Sequence, residues 1–254
     1  MVELTCTDFG GSGDLLIVGP SLGTSVEALW SACVSGLTKS FRVVGWDLPG
    51  HGRSAPATGF DLADLADSVR KVGAELTTGN ARYAGVSVAG AVGFALAVDP
   101  GPFTAIATLA AAGKIGEPGP WYERADLVRT ASTSALIAGS VERWFGPGFT
   151  DRDPRTAGRL LDSLTDADAR SYAATCEALA RFDVRDRLGA ATVPVLVTAG
   201  RHDRVVPPEL ARESADRLPA ATSYVFEGSA HLPPAEEPTA VASVLTEYFQ
   251  RGGR

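Results

Sequence analysis

Residues 80–90 read Asn-Ala-Arg-Tyr-Ala-Gly-Val-Ser-Val-Ala-Gly. An apolar strand pattern ends at Val86, Ser87 follows at once, and Val88–Val98 reads as a buried helix. The serine therefore stands on a strand-to-helix turn. Such a turn strains the backbone and is tolerated only where the residues two before and two or three after carry almost no side chain. Gly85, Ala89 and Gly90 meet that demand. The pattern is G-x-S-x-A-G, looser than G-x-S-x-G, and the steric argument survives because alanine is the next smallest residue. A strand-loop-helix joint that contains serine by chance is the competing reading, and only partners elsewhere in the chain decide between them.

The chain around this turn alternates strand and helix. An edge strand is expected over residues 3–9, a fully buried strand over 14–18, and a loop at Gly19-Pro20-Ser21-Leu22-Gly23. Thr24 with Glu27 three residues on is a capping-box signature, which predicts a helix over 25–37. A strand over 41–46 leads into the turn-rich segment 47–54. Asp61 then caps a helix whose Leu62, Leu65, Val69, Val72 and Leu76 share one face. After the serine turn comes a strand at Phe103–Leu109. This rhythm predicts right-handed crossovers and a mainly parallel sheet of about seven to eight strands, flanked by helices, with reactive groups at the carboxyl ends of the strands.

From residue 113 to 185 the rhythm stops. Helical patterns recur at 121–138, 140–145, 154–164 and 167–182 with no buried strand between them, where a crossover needs one helix. We read three segments: 1–112 as the first part of an α/β core, 113–185 as a helical cap over its catalytic edge, and 186–254 as the rest of the core. In that last part strands are expected at 193–198 and 222–226, and helices at 208–218 and Pro238–Gln250. No internal repeat is visible.

Composition closes off several function classes. A net charge of −7 opposes the basic patch that nucleic-acid phosphates require. The three cysteines, Cys6, Cys33 and Cys176, are widely spaced and contain no C-x-x-C pair, so neither a zinc site nor a disulfide framework is expected, and a reducing cytoplasm is the expected compartment. Residues 1–6 lack the basic and apolar runs of a secretory leader, and no apolar run approaches the roughly 20 residues of a membrane span. Neither metal nor organic cofactor is expected.

A serine hydroxyl needs a base to take its proton and a third group to orient that base. The chain has three histidines. His51 lies in a glycine-rich loop, where a packing or turn role is the simpler reading. His202 stands beside Asp203. His231 follows the last expected strand, on a loop able to reach over the strand ends, and Asp203 follows the strand before it. A lone loop aspartate is usually a turn former. Here acid and base each end their own strand, and the order Ser87, Asp203, His231 is the one the hydrolase arrangement requires. Acyl transfer also needs oxyanion donors. The expected ones are the backbone amides of Val88, after the nucleophile, and of Leu22, after the second strand.

With those residues in hand, the chain resembles the α/β-hydrolase superfamily along essentially its whole length, and more narrowly the 3-oxoadipate enol-lactonases. The narrower resemblance is carried by Ser21-Leu22-Gly23-Thr24, by Gly85-Val86-Ser87 with Gly93, by residues 112–116 leading to Trp121-Tyr122-Glu123-Arg124, and by Glu142-Arg143-Trp144-Phe145. Many hydrolases carry His-Gly where this chain has Pro20-Ser21, so only the backbone role of that loop carries over. The resemblance implies a carboxylic ester hydrolase of aromatic catabolism that opens a small anionic lactone, 3-oxoadipate enol-lactone, to 3-oxoadipate. A substrate carboxylate needs a cationic partner, and Arg124, Lys114 and Arg143 are candidates, with Arg124 preferred because it shares a helix face with Trp121. Trp121 and Trp144 are the expected aromatic residues at the substrate, with packing of the cap the simpler reading for Trp144 and both roles compatible. The alternatives are a broad carboxylesterase or a carbon-carbon bond hydrolase with the same triad and, from another class, a non-catalytic ligand receptor on the same fold.

Overall fold

Every residue of Leu15–Gly19 is buried, as a strand covered on both faces requires. This is β2 in a computed structural model that describes residues 2–252. The other strands are β1 (Cys6–Gly10), β3 (Arg42–Trp46), β4 (Ala81–Val86), β5 (Phe103–Leu109), β6 (Val195–Gly200) and β7 (Ala221–Phe226). They form one seven-stranded sheet in the order β1-β3-β2-β4-β5-β6-β7. All neighbours are parallel except β1, which runs antiparallel to β3 at the edge. The fold is thus the expected α/β-hydrolase architecture. Chain direction across the sheet reverses between β2 and β4, and a crevice at the carboxyl ends of those two strands is the result. Gly19 and Gly85 face each other there in register.

Helices α1 (Val26–Leu37), α2 (Leu62–Leu76) and α3 (Val88–Val98) connect the first strands. Ser25 caps α1, its hydroxyl accepting the Ala28 amide at 3.1 Å. Thr24, the expected cap, is instead spent on the preceding loop, where its hydroxyl accepts the Ser21 amide and donates to the Ser21 carbonyl. The capping box with Glu27 is therefore not formed.

Between β5 and β6 the chain forms α4 (Pro118–Ala131), a 3-10 turn at Thr133–Leu136, α5 (Ile137–Trp144), α6 (Phe149–Arg152), α7 (Pro154–Asp166), α8 (Ala169–Arg181) and a second 3-10 turn at Arg185–Ala190. The single helix expected over 121–138 is broken at Ser132, whose backbone sits at φ 63°. Short α6 carries no pattern long enough to read. After β6 come α9 (Pro208–Ala215), α10 (Pro233–Glu236) and α11 (Pro238–Gln250), the last packed along α1. β6 begins two residues later than expected because Pro194 has no N–H for the ladder, and the Val195 amide makes the first bond, to the Ala220 carbonyl. Among the described residues no helix is long and apolar enough to cross a membrane.

Candidate active site

Ser87 joins β4 to α3 at φ 55° and ψ −113°, an arrangement that few residues with a side chain adopt. The neighbours show why small residues surround it. A methyl group on Gly85 would overlap the Ala89 carbonyl, and one on Gly90 would overlap the Ala111 side chain. Two further bonds hold the turn: the Ser87 amide donates to the Leu109 carbonyl at 2.8 Å, and the Tyr83 hydroxyl donates to the Ala89 carbonyl at 2.8 Å. Val88 is the first residue of α3, so its amide belongs to the turn of a helix that has no internal acceptors.

Asp203 lies three residues past β6 and His231 five past β7. The structure brings them to Ser87. His231 Nε2 lies 2.9 Å from Ser87 Oγ, and His231 Nδ1 lies 2.8 Å from Asp203 Oδ2. An ionised carboxylate only accepts, so Nδ1 carries the proton and Nε2 is left to accept from the serine hydroxyl. The other oxygen of Asp203 accepts the amides of Val205 and Val206 at 2.7 and 3.0 Å, which aims the carboxylate. All three side chains are buried. His202 stays exposed on the surface.

His51 takes the packing role expected of it. Its Nδ1 bonds the Pro49 carbonyl at 2.9 Å and its ring stacks on Tyr172 with centroids 5.9 Å apart. Burial pushes its imidazole down to about 4.

A cavity of about 20 Å³ adjoins Ser87 and His231. Leu22 and Ser21 line it from the β2 loop, whose Gly23 sits at φ 86° with no room for a methyl beside Leu164 and Trp144. From the helical insertion come Trp121, Arg124, Ser140, Arg143, Trp144 and Tyr172. Arg124 lies over the Trp121 ring at 4.8 Å, the shared helix face expected from their spacing. Trp121 Nε1 donates to the Ile115 carbonyl, which anchors the ring. Among the described residues neither Arg124 nor Arg143 has a carboxylate within ion-pair distance. Burial, helped by the Arg124 guanidinium, holds Arg143 below its ordinary value.

Lys114 is not part of this group; it pairs with Glu117 at 2.8 Å. Tyr172, Ser140 and Val205 line the cavity without having been singled out from sequence, since nothing local distinguishes them from ordinary helix and loop residues. A groove of about 580 Å³ between α1 and α11 is larger, but it shares no residue with the serine site. Among the described residues no cluster of His, Cys, Asp and Glu is placed to hold a metal ion.

The fold is that of the α/β hydrolases. A family model described as alpha/beta hydrolase fold matches residues 14–238, and the chain belongs to that family as one of its hydrolases. Within it the chain resembles the 3-oxoadipate enol-lactonases: it is 33% identical over 253 residues to 3-oxoadipate enol-lactonase 2 of Acinetobacter baylyi, covering 98% of this chain and 94% of that protein. The crystal structure of the enol-lactonase from Burkholderia xenovorans LB400 superposes with a TM-score of 0.92 at 29% identity, over 98% of this chain and 97% of that one. A pimeloyl-(acyl-carrier protein) methyl ester esterase of Vibrio cholerae is 28% identical over 250 residues, 95% of this chain and 96% of that protein.

Proposed function

We propose that this hydrolase opens a small anionic lactone, of the 3-oxoadipate enol-lactone kind, through an acyl-enzyme on Ser87. One observation carries the reading: the cavity that holds the Ser87–His231 hydrogen bond is also lined by two guanidiniums that have no carboxylate partner among the described residues. Two cations crowded at the edge of a small pocket are stabilised by an anion between them, and arginine suits a carboxylate through its paired N–H groups.

In this reading Ser87 Oγ attacks the lactone carbonyl while His231 Nε2 takes its proton, with Asp203 holding the imidazole in the required tautomer. The Val88 amide, at the positive end of α3, and the Leu22 amide receive the developing oxyanion. Collapse of the tetrahedral intermediate breaks the ring ester bond, and His231 returns the proton to the enol oxygen. That oxygen remains tethered to the acyl group. Water, deprotonated by His231, then releases the acid, and tautomerisation of the enol to a ketone removes the nucleophile that would close the ring again. Arg124 and Arg143 hold the substrate carboxylate, with Trp121 and Trp144 walling the apolar part, and the helical insertion acts as the cap that keeps water out. The enol-lactonase relatives support the substrate class, and the residues themselves support the chemistry.

The test compares an enol-lactone with a neutral aryl ester and with a dicarboxylic acid monomethyl ester. Ser87→Ala should lower turnover of all three by about 10⁶-fold. Arg124→Met and Arg143→Met should each raise KM for the lactone by about 10- to 100-fold, the worth of a lost charge-assisted hydrogen bond, while leaving the neutral ester within a few-fold. Near-normal turnover by Ser87→Ala would end the nucleophile assignment. Faster hydrolysis of the monomethyl ester than of the lactone would move the substrate class toward that named for the Vibrio relative.

A further inference from the structure

Glu236 is a buried carboxylate that takes no part in the proton relay. It closes the short helix α10, and both of its carboxylate oxygens accept from backbone. Oε1 accepts the amides of Ala230 at 2.9 Å and Leu232 at 3.2 Å, the two residues that flank His231. Oε2 accepts the amide of Gly146 at 2.6 Å, two residues past Trp144. The His231 amide in turn donates to the Trp144 carbonyl at 3.2 Å. A single side chain thus grips the backbone on both sides of the histidine and fastens it to the end of α5, next to Arg143 and Trp144.

Among the described residues Glu236 forms no ion pair with lysine or arginine, so its desolvation is offset by the three N–H groups and, after them, by the His231 imidazole. Filling space in a loop does not call for a buried charge, and an apolar residue of similar size does so without the cost. Three amides that all point inward do call for one, because a carboxylate is the one side chain there with acceptors for every donor and no hydrogen to oppose them. The outer part of the same loop is held by other groups: Glu237 accepts the Gly228 amide at 2.9 Å, and the Ser229 carbonyl accepts the His202 amide.

We propose that Glu236 is the positioning residue for His231, setting the imidazole on the line between Ser87 Oγ and Asp203 Oδ2 and tying that orientation to the helical insertion. This rests on the catalytic reading of Ser87 and His231. Glu236→Gln keeps the size and one carbonyl oxygen but turns an NH₂ group toward at least one of the three amides, so the loop backbone shifts. Displacing a base by about an ångström costs on the order of 100-fold in rate.

The experiment measures kcat on a neutral aryl ester per active site, titrated with a fluorophosphonate so that any unfolded fraction drops out. It also follows the second-order rate of that labelling. Glu236→Gln should lose about 10- to 100-fold in kcat and a similar factor in labelling rate, with KM within about threefold, because the base has moved and the pocket has not. Glu236→Ala should lose more. Glu237→Gln, which loosens only the far end of the loop, should stay within about threefold of wild type in kcat. A per-site kcat for Glu236→Gln within twofold of wild type overturns the assignment, and so does an equal loss in Glu237→Gln, which would mean that any loosening of the loop has the same effect. Ser87→Ala separates the two failures: if it retains turnover the catalytic reading has failed, and if it is inactive while Glu236→Gln is unimpaired, only the role of Glu236 has.

Discussion

Ser87 and His51 show how differently two buried polar residues are treated. The backbone of Ser87 is held at positive φ by bonds to Leu109 and to Tyr83 through Ala89, a local strain of about 1–3 kcal/mol that its surroundings over-determine. His51 is held neutral, and that has a measurable consequence. Its folded-state value of about 4 lies below the ordinary 6.5. Above pH 6.5 the residue is neutral in both folded and unfolded chains. Between 6.5 and 4 the unfolded chain takes up a proton that the folded one refuses, so stability falls as pH falls, by up to about 3 kcal/mol. Burial pushes Asp47 and Glu236 upward, which acts in the opposite direction over the acid range. The comparison must therefore be between wild type and His51→Asn, in which those groups are common. The urea midpoint at pH 4.5, taken relative to that at pH 7, should lie higher in the variant than in wild type, and an unchanged difference would remove His51 from the account.

At the scale of elements, α4 and α5 carry the clearest departure from local pattern. Nothing in Thr130-Ala131-Ser132-Thr133-Ser134 stops a helix, for the stretch holds neither glycine nor proline. The break comes from packing: Thr133 is buried with its hydroxyl on the Thr165 carbonyl of α7, and Ser132 accepts φ 63° and ψ 171° so that the chain can reach there. That region is nearly reserved for glycine. Ser132→Gly should therefore raise stability by about 1 kcal/mol, the relieved strain exceeding the added freedom of the unfolded chain. A lower denaturation midpoint would show that the serine side chain contributes something the backbone geometry does not reveal. Strands and most helices were legible because their signals are local, namely apolar runs of strand length, apolar residues at helical spacing, and prolines and small residues at the joints. The Ser132 break, the shift of the α1 cap from Thr24 to Ser25 and the pairing of Lys114 with Glu117 were not, because each is decided by a neighbour outside the reading window or by competition among equivalent local partners.

Across the whole molecule, the helical insertion is bonded to the core at several places, from its helices as well as its loops. The Ser163 hydroxyl accepts the Ser25 amide beside the Leu22 loop, the Asp168 amide donates to the Gly50 carbonyl beside His51, and Gly146 and Trp144 bond the His231 loop. An insertion tied in this way should unfold with the core. Its Cys176 and the core's Cys33 are both buried free thiols, and burial pushes Cys176 up to about 12 and Cys33 further. Iodoacetamide at pH 8 should spare both in the native protein and label both at the same urea concentration, read by peptide mass mapping. Earlier labelling of Cys176 would mean that the insertion opens on its own. The cavity of about 20 Å³ holds roughly one water, so admitting a lactone requires the lining side chains to move even while those ties remain.

By itself, the amino-acid sequence determined the alternation of strand and helix, the turn that lifts Ser87 above the sheet, and the places of Asp203 and His231 just past their strands. These follow from chain connectivity and from steric demands within a few residues. Only the tertiary structure decided that Arg143 and Tyr172 join Arg124 at one cavity, that the cavity is small, and that Glu236 grips both sides of His231 and the end of α5. Those groups stand far apart along the chain, and their meeting depends on how the insertion packs across the strand ends, which no local pattern encodes.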